Sequence, residues 1–122
     1  MEKLGAEIEY VDVERRSVTL AYNPDAFFLQ AMNVMQGGAV SMMLDYTLAA
    51  AVLAALPDGH TTASTSLAVS FIKPALPGRL IAVGVVDHVG RTCAFARGTI
   101  AREDGVIVAT ASSNLSVFEP RT

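Results

Sequence analysis

Ala39-Val40-Ser41-Met42-Met43-Leu44-Asp45-Tyr46-Thr47-Leu48-Ala49-Ala50-Ala51-Val52-Leu53-Ala54-Ala55-Leu56 is a run of 18 residues that carries one charge, Asp45. Gly37-Gly38 punctuates the chain before it, and Pro57-Asp58-Gly59 stops it. The run predicts a long helix that is apolar nearly all round, and such a helix must be covered on most sides. A membrane span is the rival reading, but spanning takes about 20 apolar residues, and a carboxylate at the bilayer centre costs about 2.5–3.5 kcal/mol. Six of the 18 residues are alanine, which adds little membrane affinity, and no basic residue flanks the run. It reads as the buried helix of a soluble domain that does not engage a membrane.

The segments on either side read as strands. Ile8, Tyr10 and Asp12 alternate with Glu9, Val11 and Val13; Glu14-Arg15-Arg16 interrupts, and Ser17 to Tyr22 resumes an extended pattern, so the N-terminal part predicts a hairpin. Asn23-Pro24-Asp25 marks a turn or helix start before the short apolar run Ala26 to Leu29, and Gln30 to Gln36 reads as a loop. After the helix the composition changes to threonine, serine, valine and phenylalanine. Thr61 to Lys73 runs up to Pro74, Leu80 to Val89 is closed by Gly90-Arg91, and Thr92 to Arg102 leads through Glu103-Asp104-Gly105 into Val106 to Phe118. The turn spacing predicts an antiparallel meander. Ala94, Ala96 and Gly98 would give the third long strand an inward face low enough for a helix or ligand to approach closely. The expected class is α+β, one domain over residues 1–122, with a single curved antiparallel sheet wrapped on a long central helix.

Composition narrows the function. At 122 residues, 52% hydrophobic and 17% charged, the chain is far too apolar for a disordered segment, and it predicts a surface buried against another copy. A net charge of −3 argues against a general nucleic-acid binder. One cysteine, Cys93, and two histidines, His60 and His88, argue against a disulfide framework and against a metal centre, and both histidines are expected to face solvent. The first residues lack the apolar run of a secretory signal, so a cytoplasmic protein is expected. Gly-x-Ser-x-Gly, Walker and dinucleotide-binding fingerprints are absent.

Two features carry chemistry. Asp45 is the only charge in a helix expected to be buried; a carboxylate there either reaches out at the helix edge, takes a hydroxyl partner such as Thr47, or performs a function. Gln36-Gly37-Gly38 lies at the expected helix start. Glycine eases a loop into a helix, and it also lets a carbonyl approach the unpaired N–H groups and positive dipole end there.

Gln30, Gly37, Asp45 and Ser64, with the strand end Ser70-Phe71-Ile72-Lys73-Pro74, resemble the hotdog-fold acyl-CoA thioesterases, within them the PaaI-like (phenylacetate-degradation) and 4-hydroxybenzoyl-CoA thioesterase group. The resemblance covers about Asn23 to Phe118. In that family a His-Gly-Gly motif opens the helix, with an acid nine positions after the histidine; here Gln36 holds the histidine position and Asp45 the acid. Gln30, six residues before Gln36, matches a family Asn or Gln, and Ser64, ten residues before Pro74, matches a serine that is catalytic in some members. The resemblance implies that the Gly37 amide polarises a thioester carbonyl. Asp45 would be general base or nucleophile, Ser64 would hold the water, and Gln30 would orient thioester or water. Gln36 hydrogen-bonds but does not titrate, so the histidine's proton-handling role is missing.

The implied reaction is hydrolysis of an acyl-CoA without a cofactor, in a homodimer or homotetramer whose sites are shared between subunits. Two alternatives stay open: a silent acyl-CoA-binding protein, and a hotdog hydratase or dehydratase, which would ordinarily pair the acid with a histidine. Between Lys73 and Arg102 the sequence carries Lys73, Arg79, Arg91, Arg97 and Arg102 against Asp87 alone. A basic surface there would suit coenzyme A phosphates, with Arg91, Lys73 and Arg79 as the chosen contacts.

Overall fold

The computed structural model describes residues 4–25, 28–29 and 34–120. Six strands form one antiparallel sheet: β1 (Glu7–Asp12), β2 (Ser17–Tyr22), β3 (Thr61–Phe71), β4 (Leu80–Val89), β5 (Cys93–Arg102) and β6 (Ile107–Phe118), with α1 (Gly37–Ala54) between β2 and β3. The expected hairpin, helix and four long strands are all present, and their ends coincide with the Gly, Pro and Asp punctuation. At the β5–β6 turn, for example, Gly105 takes φ +89°, and Asp104 accepts the Val106 N–H at 3.0 Å.

The strand order is β1-β2-β4-β5-β6-β3, which corrects one expectation. Only β4, β5 and β6 form a meander. β3 leaves it and pairs with β6 at the far edge, so β2 takes the place beside β4. Three strand spacings separate β3 from β4, about 14 Å. The segment from Ile72 to Arg79 spans that distance with Pro74, Pro77 and Gly78, the last at φ +123°, none of which suits a central strand.

α1 lies on the concave face. Ala39, Val40, Met43, Leu44, Thr47, Leu48, Ala51 and Val52 are buried in that contact. The helix settles on two glycines that are direct cross-strand partners, Gly84 and Gly98. A Cβ at Gly98 would stand 2.6 Å from the Val83 carbonyl oxygen and 2.8 Å from Leu48 Cδ2; one at Gly84 would stand 3.0 Å from the Thr47 carbonyl oxygen. Ala94 and Ala96 continue this low floor along β5, as the sequence suggested. One sheet does not cover the whole helix, however. Met42, Tyr46 and Leu53 are 39–45% exposed, and with the half-buried Ala49 they form a stripe on the face turned away from the sheet.

A polar knot fixes the rotation of α1. The Thr47 hydroxyl donates to the Met43 carbonyl oxygen at 2.8 Å, and the Tyr22 phenol lies 2.9 Å from that same oxygen and 2.7 Å from Thr47 Oγ1. Tyr22 is fully buried, and burial pushes its phenol up to about 12, partly opposed by the Thr47 hydrogen bond. Thr47 thus faces the sheet and is not the partner of Asp45.

Two measurements test this packing. Gly98→Ala drives a methyl into backbone and into Leu48, so urea denaturation should show a loss of about 1–3 kcal/mol. The Tyr22 shift also sets a pH window. Between about pH 10 and 12 an unfolded chain ionises this phenol while the folded chain does not, so the folded state loses stability as pH rises through that range. The urea midpoint should therefore fall more steeply between pH 9.5 and 11.5 in the parent protein than in Tyr22→Phe.

Candidate functional site

Gly37 is the first residue of α1. Its N-cap, Gln36, is extended (φ −64°, ψ 141°) and its side chain makes no cap hydrogen bond, so the first helical amides keep their unpaired donors. The segment leading in is tied down on both sides: Met35 N–H donates to the Ala75 carbonyl at 2.6 Å, and Gln36 N–H to the Phe28 carbonyl at 2.9 Å. The Phe71 ring, at the end of β3, lies against Gly37, where a Cβ would come within 3.2 Å of Phe71 Cζ. An apolar cavity of about 330 Å³ opens beside this helix end, bounded by Met35, Gly37, Val40, Phe71, Pro74 and, as its one charged residue, Lys73.

Asp45 lies two turns further along α1 and is half-buried. Ser64 Oγ donates to Asp45 Oδ1 at 2.6 Å, a short charge-assisted bond across from β3 to the helix. The two residues that the family resemblance brought together are therefore in contact. Gly37 and Asp45 are not: eight residues of helix separate them by about 12 Å. Gln36 is exposed at the helix start, and Gln30 lies outside the described residues. Among the described residues, no group of three His, Cys, Asp or Glu side chains is placed to hold a metal ion.

The basic residues do not gather into one patch on a single chain. Lys73 borders the cavity at Gly37. Arg79 pairs with Glu9 and Arg97 with Asp87, the latter at 2.9 Å. Arg91 lies 3.6 Å from Glu119, in a cleft of about 300 Å³ with His60, Leu56 and Val89 at the C-terminal end of α1. β4, ten residues long, separates Arg79 from Arg91 by about 33 Å. His88 is exposed with its ring 5.5 Å from Phe95, whereas His60, expected in solvent, is half-buried with Nδ1 enclosed and unpartnered. The Phe71 contact with Gly37 and the cavity escaped the sequence reading. Phe71 entered the sequence reading only within the strand end Ser70 to Pro74, with no contact assigned to it, and it is the fold that brings it to the helix start.

The Thioesterase superfamily profile matches residues 32–109. No curated protein is significantly similar to the chain. Among solved structures, the phenylacetic acid degradation-related protein of Ralstonia eutropha JMP134 is 32% identical, with a TM-score of 0.89 over 94% of this chain and 86% of that one. The PaaI protein from the phenylacetic acid degradation operon of Escherichia coli is 20% identical, with a TM-score of 0.83 over 94% and 80%. The BH2602 protein of Bacillus halodurans, solved with CoA, is 23% identical, with a TM-score of 0.77 over 82% and 66%. A six-stranded antiparallel sheet around one helix that opens on Gly-Gly, together with these matches, makes this chain a hotdog-fold member of the thioesterase superfamily, of the PaaI-like kind.

Proposed function

We propose that the protein hydrolyses acyl-CoA thioesters, with Asp45 as the proton acceptor. Thioester hydrolysis follows from the family; the acyl-CoA substrate and the residue roles are our reading. The observation that carries it is the 2.6 Å bond between Ser64 and Asp45, which gives the helix carboxylate a fixed direction on its exposed side. In the proposed reaction Ser64 and Asp45 hold a water molecule. Asp45 takes a proton as the water oxygen attacks the thioester carbon, and the Gly37 N–H receives the developing oxyanion. Collapse of the tetrahedral species breaks the C–S bond, and the proton held by Asp45 passes to the departing thiolate. Attack by Asp45 itself, through an anhydride that water then opens, uses the same atoms and remains the alternative route. Gln36 adds a neutral hydrogen-bonding group where relatives carry histidine, and Gln30 belongs to the same proposed site.

The substrate's two ends suit different parts of the molecule. The apolar cavity at Gly37 accepts carbon chain, and Lys73 at its border accepts anionic oxygen. The CoA present in the Bacillus halodurans structure supports a CoA ester as the ligand class. Arg91 and Arg79 are the further proposed phosphate contacts. Their separation by the length of β4 means that one CoA molecule meets both only if two subunits contribute.

We also propose that the site is shared within a homodimer, which pairs further into tetramers. A reacting carbonyl must lie within about 3–3.5 Å of its donor and its water, and one chain holds Gly37 and Asp45 about 12 Å apart. Two helices related by a two-fold axis bring Asp45 of one copy to Gly37 of the other. The exposed stripe of Met42, Tyr46, Ala49 and Leu53, beside Asp45, is an apolar surface of the kind such a partner covers.

Asp45→Asn keeps the shape and removes the proton acceptor. Thiol release from a panel of acetyl-, butyryl-, octanoyl-, benzoyl- and phenylacetyl-CoA should fall by about 10²–10⁴-fold, with binding retained in a thermal-shift assay. Full turnover in folded Asp45→Asn overturns the mechanism, and binding without turnover in the parent protein favours a silent acyl-CoA binder. Sharing is tested by mixing Asp45→Asn with Gly37→Val after joint unfolding and refolding. Half of the reassorted dimers carry one intact site, so about a quarter of parental activity should return. Mixed dimers confirmed by mass and devoid of activity would put the whole site in one chain.

A further inference from the structure

β3 changes the face it shows to the helix partway along its length. Towards its end Leu67 and Val69 pack against the core and Phe71 touches Gly37, so odd-numbered side chains face α1 while Ser66, Ala68 and Ser70 are exposed. Towards its start the rule is reversed: Ser64, an even-numbered residue, bonds to Asp45 on the helix. Side chains of a regular strand alternate with a period of two, so Ser64 and Leu67 cannot share a face without one extra residue between them. That residue is Thr65. Ser64 pairs with Leu115 and Ser66 with the next residue back, Asn114, which leaves Thr65 bulged out of the ladder. β6 keeps one alternation throughout this stretch, with Ala109, Ala111, Ser113, Leu115 and Val117 all buried.

We propose that this bulge is the device that aims Ser64 at Asp45, and that Ser113, through a buried hydroxyl that braces it, is a positioning residue for hydrolysis. The proposal rests on the roles given above to Asp45 and Ser64. A bulge disrupts the ladder around it and frees backbone carbonyls. Ser113 Oγ donates to the Ser66 carbonyl at 2.9 Å and lies 3.4 Å from the Asn114 carbonyl oxygen, while Thr65 Oγ1 donates to that Asn114 oxygen at 3.0 Å. Ser113 is 3% exposed; among the described residues the other buried side-chain hydroxyls are those of Tyr22 and Thr47. Its neighbours on the same face of β6 are alanine, leucine and valine, so packing alone would favour an apolar residue there; the hydroxyl serves the bulge. The brace matters because β3 is an edge strand rich in serine and threonine. In its unbulged register Thr65 would face the helix and Ser64 would turn to solvent, and composition does little to forbid that slip.

The test is a double-mutant cycle on the acyl-CoA that the parent enzyme turns over fastest in the five-member panel. Ser113→Ala should lower kcat by about 10- to 100-fold with little change in KM, because it mispositions Ser64 and leaves the substrate surface alone. In a Ser64→Ala background the same change should cost nothing further. Equal losses in both backgrounds, or none in either, overturn the proposal. Thr65→Val, at an exposed position, carries the same cycle should Ser113→Ala fail to fold. A crystal structure of the Ser113→Ala or Thr65→Val protein reads the positioning without reference to catalysis. Ser64 Oγ displaced from hydrogen-bond distance of Asp45 supports the proposal; an unchanged contact overturns it. Failure of the underlying reading shows separately: undiminished turnover in Asp45→Asn removes the role given to Asp45, and binding without turnover in the parent protein removes hydrolysis itself.

Discussion

The approach of α1 to the sheet at Gly84 and Gly98 governs where every other group on the helix points. These two residues are cross-strand partners, so the missing side chains fall together and make one depression, into which Leu48 and the backbone at Thr47 settle. Once that contact is made, about 100° of rotation per residue disposes the rest. Asp45 stands about 120° from the centre of the buried face, on the flank towards β3. The stripe of Met42, Tyr46, Ala49 and Leu53 falls opposite the sheet. Depth and rotation are secured separately: the glycines permit the close approach, and the hydrogen bonds from Tyr22 and Thr47 to the Met43 carbonyl choose which side of the helix makes it. Both hydroxyls are fully buried and both are partnered, so the knot adds direction without stranding a polar group.

Most of the elements were legible because their ends are chemically marked. Gly59, Gly78 and Gly105 hold positive φ at turns, and Pro57 and Pro74 stand where helix and strand stop. Strand order was not legible. Whether β3 lies beside β4 or beside β6 depends on which partner packs Leu67 and Val69 against the core, a matter of contacts distant in sequence that periodicity does not encode. The helix was read as enclosed by one sheet, yet Met42 and Tyr46 remain open; a composition apolar all round says that cover is needed without saying which molecule supplies it.

The site was legible in proportion to how unusual each residue is in its setting. Asp45 stood out as the lone charge of an apolar helix, and its hydroxyl partner was found through a family spacing, because Thr61 to Ser66 offers five hydroxyl side chains with no local means of ranking them. The basic residues misled in one respect. Lys73 to Arg102 is compact in sequence, but extended strands carry their ends apart, so Arg79 and Arg91 lie at opposite ends of the sheet, each with an acidic partner. The Thr65 bulge was invisible for a related reason. Thr-Ala-Ser-Thr-Ser reads equally well with either set of side chains facing inward, and only the fixed alternation of β6 and the position of Asp45 decide between them.

In the proposed reaction a single chain separates its electrophile, the Gly37 amide, from its base, Asp45, and the architecture gives a reason for that separation. An N-terminal amide is available for catalysis only in the first turn of a helix, where no preceding carbonyl claims it. A carboxylate held against a strand hydroxyl needs to lie deeper, where the helix is already seated on the sheet, and for α1 that depth is two turns in. Moving Asp45 nearer to Gly37 would carry it beside the apolar cavity and away from Ser64; moving Gly37 inward would cost the amide its freedom. The fold meets each requirement at its own place on the helix, and in the proposed shared site the distance between them is closed by a second copy. The face next to Asp45 is also the one the sheet leaves bare. The exposed apolar stripe and the proposed catalytic carboxylate are therefore adjacent, so the proposed association of two helices would cover the one and complete the site of the other.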